Sequence, residues 1–192
     1  MQRDRLCAFS DGVFAIILTI MVLELAAPPG TDWHALRAVA PELLVYAFSF
    51  VYVGIYWANH HHFFHLVTKV NGGVLWANLD LLFWLSLIPF ATQWLGHNPQ
   101  ASVPTEAYGI AILLPALAWT LMTRVCLRVE GRHSALARAM GRDAKGWASI
   151  ALYVFGILGA MLHPWIGDVF YLAVALLWLV PDRRVERVLR GA

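Results

Sequence analysis

Six apolar runs, at residues 8–27, 41–59, 74–95, 106–127, 147–163 and 166–181, confine this chain to a small set of folds. Most approach the roughly 20 residues a helix needs to cross a ~30 Å hydrocarbon core. The last two are shorter and meet near His163-Pro164. Inside a bilayer no water satisfies the backbone, so runs of this length read as helices. With 60% hydrophobic and only 14% charged residues, a soluble domain of 192 residues could not hide so much apolar surface. The expected fold is all-α: a polytopic membrane protein with six transmembrane helices, forming one domain over residues 1–192. The first run contains Asp11 and Glu24, and no small-residue cleavage pattern follows it, which argues against a cleaved signal. Two cysteines, Cys7 and Cys126, are too few for a disulfide framework.

Positive charge sorts the loops. Arg3, Arg5, Lys69, Arg124, Arg128, Arg132, Arg138, Arg142, Lys145, Arg183, Arg184, Arg187 and Arg190 fall on one side, and Arg37 alone on the other. Thirteen against one fits an even number of spans with both termini cytoplasmic. The net charge of +2 therefore reports topology and not nucleic-acid binding. The basic segments 124–145 and 183–190 lack base-stacking aromatics and sit beside membrane helices, so anionic lipid headgroups are their expected contacts.

Breakers punctuate the runs. Pro28-Pro29-Gly30 closes the first, Pro41-Glu42 suits the first turn of the second, and Asn71-Gly72-Gly73 precedes the third. Pro89 is placed to kink the third run, Pro115 lies within the fourth, and Pro181-Asp182-Arg183-Arg184 stops the last.

Candidate chemistry concentrates in the first run. Ile16, Thr19, Ile20 and Leu23 recur at three- and four-residue spacing, so they share one helical stripe, which Gly12 extends. One helix cannot enclose a pore, but symmetry-related copies could turn this stripe toward a common axis. Asp11 needs a donor, since a carboxylate near hydrocarbon is costly. The expected partners are Arg5, two turns earlier on roughly the same side, with Ser10, Trp57 and one of His60 or His61. His61 and His65 are spaced for one helix face. Zinc wants three or four convergent ligands, and no Cys or acid lies nearby, so no structural metal is expected. Asp80 interrupts the third run, with Asn78 beside it, and would pair across the bundle with a His or Arg or join a proton path. Glu24 and Glu106 would give the outer mouth a cation-attracting field. No nucleotide-binding glycine loop, zinc-protease helix, catalytic triad or Thr-Val-Gly-Tyr-Gly filter occurs, so the reading is neither an enzyme nor a carbonyl-filter channel, and no cofactor is implied.

Arg5-x-x-x-Phe9-Ser10-Asp11-Gly12-Val13-Phe14-Ala15-Ile16, followed by Thr19 and Leu23-Glu24, closely resembles the first helix of the TMEM175 potassium channels. Tyr56-Trp57-x-Asn59-His60-His61 is similar to the end of that family's second helix. The resemblance implies a potassium-selective cation channel, with potassium as the permeant ion. A single six-helix unit would assemble as a homotetramer in a prokaryotic plasma membrane, with the first helices lining the pore. Ile16 would then form the innermost hydrophobic ring, Ile20 and Leu23 the next constrictions, and Thr19 would match a threonine linked to selectivity. Arg5, Ser10, Asp11, Trp57 and His60 or His61 would form the network that supports the pore helix. The competing readings are an ion-coupled secondary transporter, with Asp80 and the histidines titrating, and a membrane scaffold without transport.

Overall fold

The computed structural model describes residues 3–141 and 143–179. Arg142, the stop at Pro181-Asp182-Arg183-Arg184 and the basic run through Arg190 lie outside the described residues. The described chain is all helix and connector. In order it forms α1 (Arg3–Leu23), α2 (Trp33–Ala38), α3 (Ala40–Leu66), α4 (Gly72–Leu85), α5 (Ile88–His97), α6 (Ser102–Glu130), α7 (Ala135–Met140), α8 (Ala144–Ala160) and α9 (Pro164–Leu179). Four segments are long and apolar enough to cross a membrane: α1, α3, α4 with α5, and α6. Helices α8 and α9 are apolar and shorter. The molecule is a polytopic membrane protein.

Helix ends differ from the apolar runs for local reasons. α1 begins within the charged leader, where Asp4 in the first turn complements the helix dipole. It stops at Leu23, several residues before Pro28-Pro29, and Ala27 is disfavoured from helical geometry by the proline after it. α3 continues beyond Asn59 through the whole histidine cluster to Leu66. Asn59, inside this helix, turns its Nδ2 back to the Ile55 carbonyl at 2.8 Å. The third apolar run breaks between α4 and α5. Pro89 has no N–H for the Leu85 carbonyl and its ring crowds that turn, while Ser86 Oγ donates to the Phe83 carbonyl at 2.7 Å. Asn71 caps α4 by accepting from the Val74 amide at 3.0 Å.

Close helix contact comes from small residues, as expected in a membrane. A Cβ at Gly167 would sit 3.0 Å from both Ala160 Cβ and Thr105 Cγ2, so α9 rests directly on α6 and α8. The short α7 is absent from the apolar pattern. Gly131, at φ 93°, ends α6, and Ser134 Oγ then accepts from the Ala137 amide to start α7, whose Leu136 and Ala139 are buried. At the same end of the bundle, Glu130 accepts from the Thr68 and Lys69 amides at 2.5 and 2.7 Å and from Thr68 Oγ1 at 2.9 Å. This ties the α3–α4 link to α6. That end also carries Arg3, Arg5, Lys69, Arg124, Arg128, Arg132, Arg138 and Lys145, and is called the basic end below.

Candidate functional site

Helix α1 has two unlike faces. Leu6, Ser10, Phe14, Ile17 and Met21 are buried against the rest of the chain. Ile16, Thr19, Ile20 and Leu23 face away from it, with Ile16 58% and Leu23 81% exposed. Nothing lies within 4 Å of where a Cβ on Gly12 would stand. The stripe is thus a continuous, largely apolar surface that the rest of the described chain leaves uncovered. Thr19 Oγ1 turns its hydrogen back to the Ala15 and Ile16 carbonyls, both at 3.0 Å. That leaves both of the hydroxyl oxygen's lone pairs for an outside partner.

The opposite face is held by polar bonds. Ser10 Oγ donates to the Leu6 carbonyl at 2.9 Å and accepts Asn78 Nδ2 at 3.0 Å. Asn78 Oδ1 lies 2.8 Å from His60 Nε2. With the amide nitrogen donating to Ser10, the amide oxygen is the acceptor, so His60 carries its proton on Nε2. Ser10, Asn78 and His60 are all buried, and the His60 ring sits between Phe14 and Phe64, with centroids 5.5 and 4.5 Å away. One chain of hydrogen bonds therefore joins α1, α4 and α3 in a dry setting, where each unpaired group would cost about 1–3 kcal/mol.

A second tie runs beside it. Trp57 Nε1 donates to Asp11 Oδ1 at 3.0 Å, linking α3 to α1 at an exposed position. His61 stacks obliquely on Trp57 at 6.2 Å, and its Nε2 is 3.1 Å from His65 Nε2. Among the described residues no group of three or more His, Cys, Asp or Glu could hold a metal ion.

Arg5 is placed differently from the expectation. Six residues before Asp11, it lies about 120° from it around the helix, in line with the uncovered stripe and five turns before Leu23. It makes no hydrogen bond or ion pair with any other described residue. Asp80 also departs from the expected cross-bundle pairing: it sits on the face of α4 away from Asn78 and accepts Trp84 Nε1, one turn on, at 3.1 Å. Asn78 is the residue that sequence reading missed in the network. Its available signal is its phase, since it falls with Val74, Leu81 and Leu85 on the buried stripe of α4. At the far end from the basic loops, Glu24, Glu42 and His97 border a hollow. Partial burial pushes the Glu24 carboxyl above its ordinary value. Glu106 does not line this hollow.

Comparison with known proteins gives the family and the fold. The family model described as endosomal/lysosomal potassium channel TMEM175 matches residues 5–89, which hold both ties. A potassium channel of Chryseobacterium sp. (strain P1-3) is 52% identical over 190 residues, 99% of each chain. A potassium channel of Streptomyces collinus is 36% identical over 135 residues, covering 64% of this chain and 66% of its own. The crystal structure of a lysosomal potassium-selective channel TMEM175 homolog from Chamaesiphon minutus superposes with a TM-score of 0.79 over 94% of this chain and 97% of the other, at 24% identity. That last likeness speaks to the fold alone.

Proposed function

The chain belongs to the TMEM175 family of potassium channels, and from that premise we propose that it is a potassium-selective channel whose pore is walled by α1 from four identical subunits. Its place is a prokaryotic plasma membrane, crossed six times, with the basic end cytoplasmic. The observation that carries the pore reading is the asymmetry of α1: one face bonded into its own subunit, the other apolar, uncovered and in register from Ile16 to Leu23.

Around a central axis, four Ile16 side chains form the narrowest ring, with Ile20 and Leu23 stacked beyond it. The rise from Ile16 to Leu23 is about 10 Å, enough for two or three such rings. Apolar rings stop ions by excluding water, and a modest tilt or rotation of α1 readmits it. Thr19 supplies the one side-chain oxygen on the stripe, able to replace part of a potassium ion's hydration shell. Flow is passive and follows the electrochemical gradient. The Ser10–Asn78–His60 and Asp11–Trp57 ties fix the phase of α1, and so keep the stripe on the axis. Arg5, which bonds to no other described residue, is assigned to the neighbouring subunit.

A coupled transporter has less support, because Asp80 is bonded within its own helix on an outward face. The test is reconstitution in liposomes with potassium and sodium flux measured separately. The parent should pass potassium in preference to sodium, and Ile16→Asn should raise potassium conductance by wetting the narrowest ring. Equal flux in parent and variant would remove Ile16 from the gate.

A further inference from the structure

Three histidines at the end of α3, His61, His62 and His65, take no part in the hydrogen bonds that hold α1. His61 and His65 are exposed, and their Nε2 atoms stand 3.1 Å apart. Four residues apart on one helix, they sit one above the other, so the backbone sets their approach. Of the two facing nitrogens, one donates and the other accepts. A hydrogen bond between exposed imidazoles adds little stability, because water offers both rings an equivalent bond. His62, one residue on, stands about 100° away around the helix. Its ring meets His61 edge to face at 5.7 Å and does not join the pair.

That separation matches what two adjacent ligands on one metal ion require. With metal–nitrogen bonds of about 2.05 Å, nitrogens 3.1 Å apart subtend about 98° at the ion. A tetrahedral ion wants about 109°, or roughly 3.35 Å between nitrogens, and a tetragonal one about 90°, or roughly 2.9 Å. The pair falls between the two, so it admits late first-row divalent ions as a class. Each lone pair reaches such an ion once its ring tilts by roughly 40° from the line joining the nitrogens. Exposed side chains are free to make that motion. Arg3 on α1 is near enough to act on His65, but its charge is paired with Asp4 at 3.2 Å. Among the described residues no third ligand converges, so water completes the shell and the ion exchanges with solvent. We infer that His61 and His65 form a two-nitrogen site for an exchangeable late first-row divalent ion such as nickel(II) or copper(II). The His61 ring lies 6.2 Å from that of Trp57, which holds Asp11, so a bound ion would stiffen the end of α3 beside that tie. The site lies within one chain and does not depend on where the pore runs.

Isothermal titration calorimetry of the full-length, tag-free protein in detergent at neutral pH tests this, with nickel chloride as the probe and magnesium chloride as the control. The parent should bind one nickel ion per chain, saturating below a millimolar, and should ignore magnesium, which imidazole suits poorly. His61→Ala and His65→Ala should each weaken nickel binding several-fold or more, while His62→Ala should bind as the parent does. Size-exclusion elution and helical circular dichroism confirm that these surface variants fold. Copper(II) electron paramagnetic resonance gives an independent reading: nitrogen hyperfine structure from two imidazoles in the parent, and from one in either pair variant. A parent that takes up no nickel below a millimolar would overturn the inference. So would pair variants that bind nickel as well as the parent, or a loss in His62→Ala equal to theirs.

Discussion

Asn78 joins three helices with one amide group: it stands on α4, donates to Ser10 on α1 and accepts from His60 on α3. Replacing it with Leu strands the buried His60 N–H and removes the bond that Ser10, still donating to the Leu6 carbonyl, accepts. The stranded donor costs about 1–3 kcal/mol, whereas the exposed Trp57–Asp11 bond is worth about 0.5–1.5 kcal/mol or less. Asn78→Leu should therefore lower the thermal unfolding midpoint in detergent clearly more than Trp57→Phe. Adding His60→Leu to Asn78→Leu should recover part of the loss, since it removes the stranded donor. Equal midpoints for the two single variants would mean the buried chain is not what secures α1. Ser10, Asp11, Trp57 and His60 stand out in the sequence as polar residues at the ends of apolar runs. Asn78 does not, because its neighbour Asp80 draws attention first, and only helical phase separates the two: one turns inward and the other out.

At the scale of the element, α1 makes the sharpest claim, because adjacent residues are assigned opposite roles. Ile17 is 3% exposed and Ile16 58%. Ile17→Ala opens a hole in the subunit, where losses of about 2–4 kcal/mol are usual, while Ile16→Ala removes side chain from an uncovered face. The first should depress the unfolding midpoint and leave ion flux per folded channel near the parent's; the second should do the reverse. A matching loss of stability in both would show that the stripe is packed within the subunit after all. Element existence was readable from apolar run length. Element ends were not, since hydropathy follows side chains and helices end where backbone geometry requires, as α4 does at Leu85, one turn before Pro89. α7 was invisible for a related reason. Its six residues bury only Leu136 and Ala139, too little pattern for any periodicity to register.

For the whole molecule, the single chain explains why α1 is held and not why its stripe is bare. Leu23, 81% exposed at the end of α1, is separated by about 10 Å of helix from Ile16, and both point away from every other described element. Lipid would tolerate such a surface, and so would a four-fold axis, so exposure alone does not choose between them. Distance does. Around a narrow axis, equivalent residues of different subunits approach within a few side-chain lengths, whereas lipid-facing positions of separate subunits diverge outward. A disulfide demands Cα atoms within about 7 Å, so it reports proximity to the axis directly. In a background with Cys7→Ser and Cys126→Ser, Leu23→Cys should form cross-linked dimers under mild oxidant in native membranes. Trp165→Cys, at the tip joining α8 to α9 and 58% exposed, serves as the outward control and should stay monomeric. Cross-linking at both positions would reflect collision between channels. Cross-linking at neither would place the first helix away from the centre, and with it the ion path proposed along Ile16, Thr19, Ile20 and Leu23.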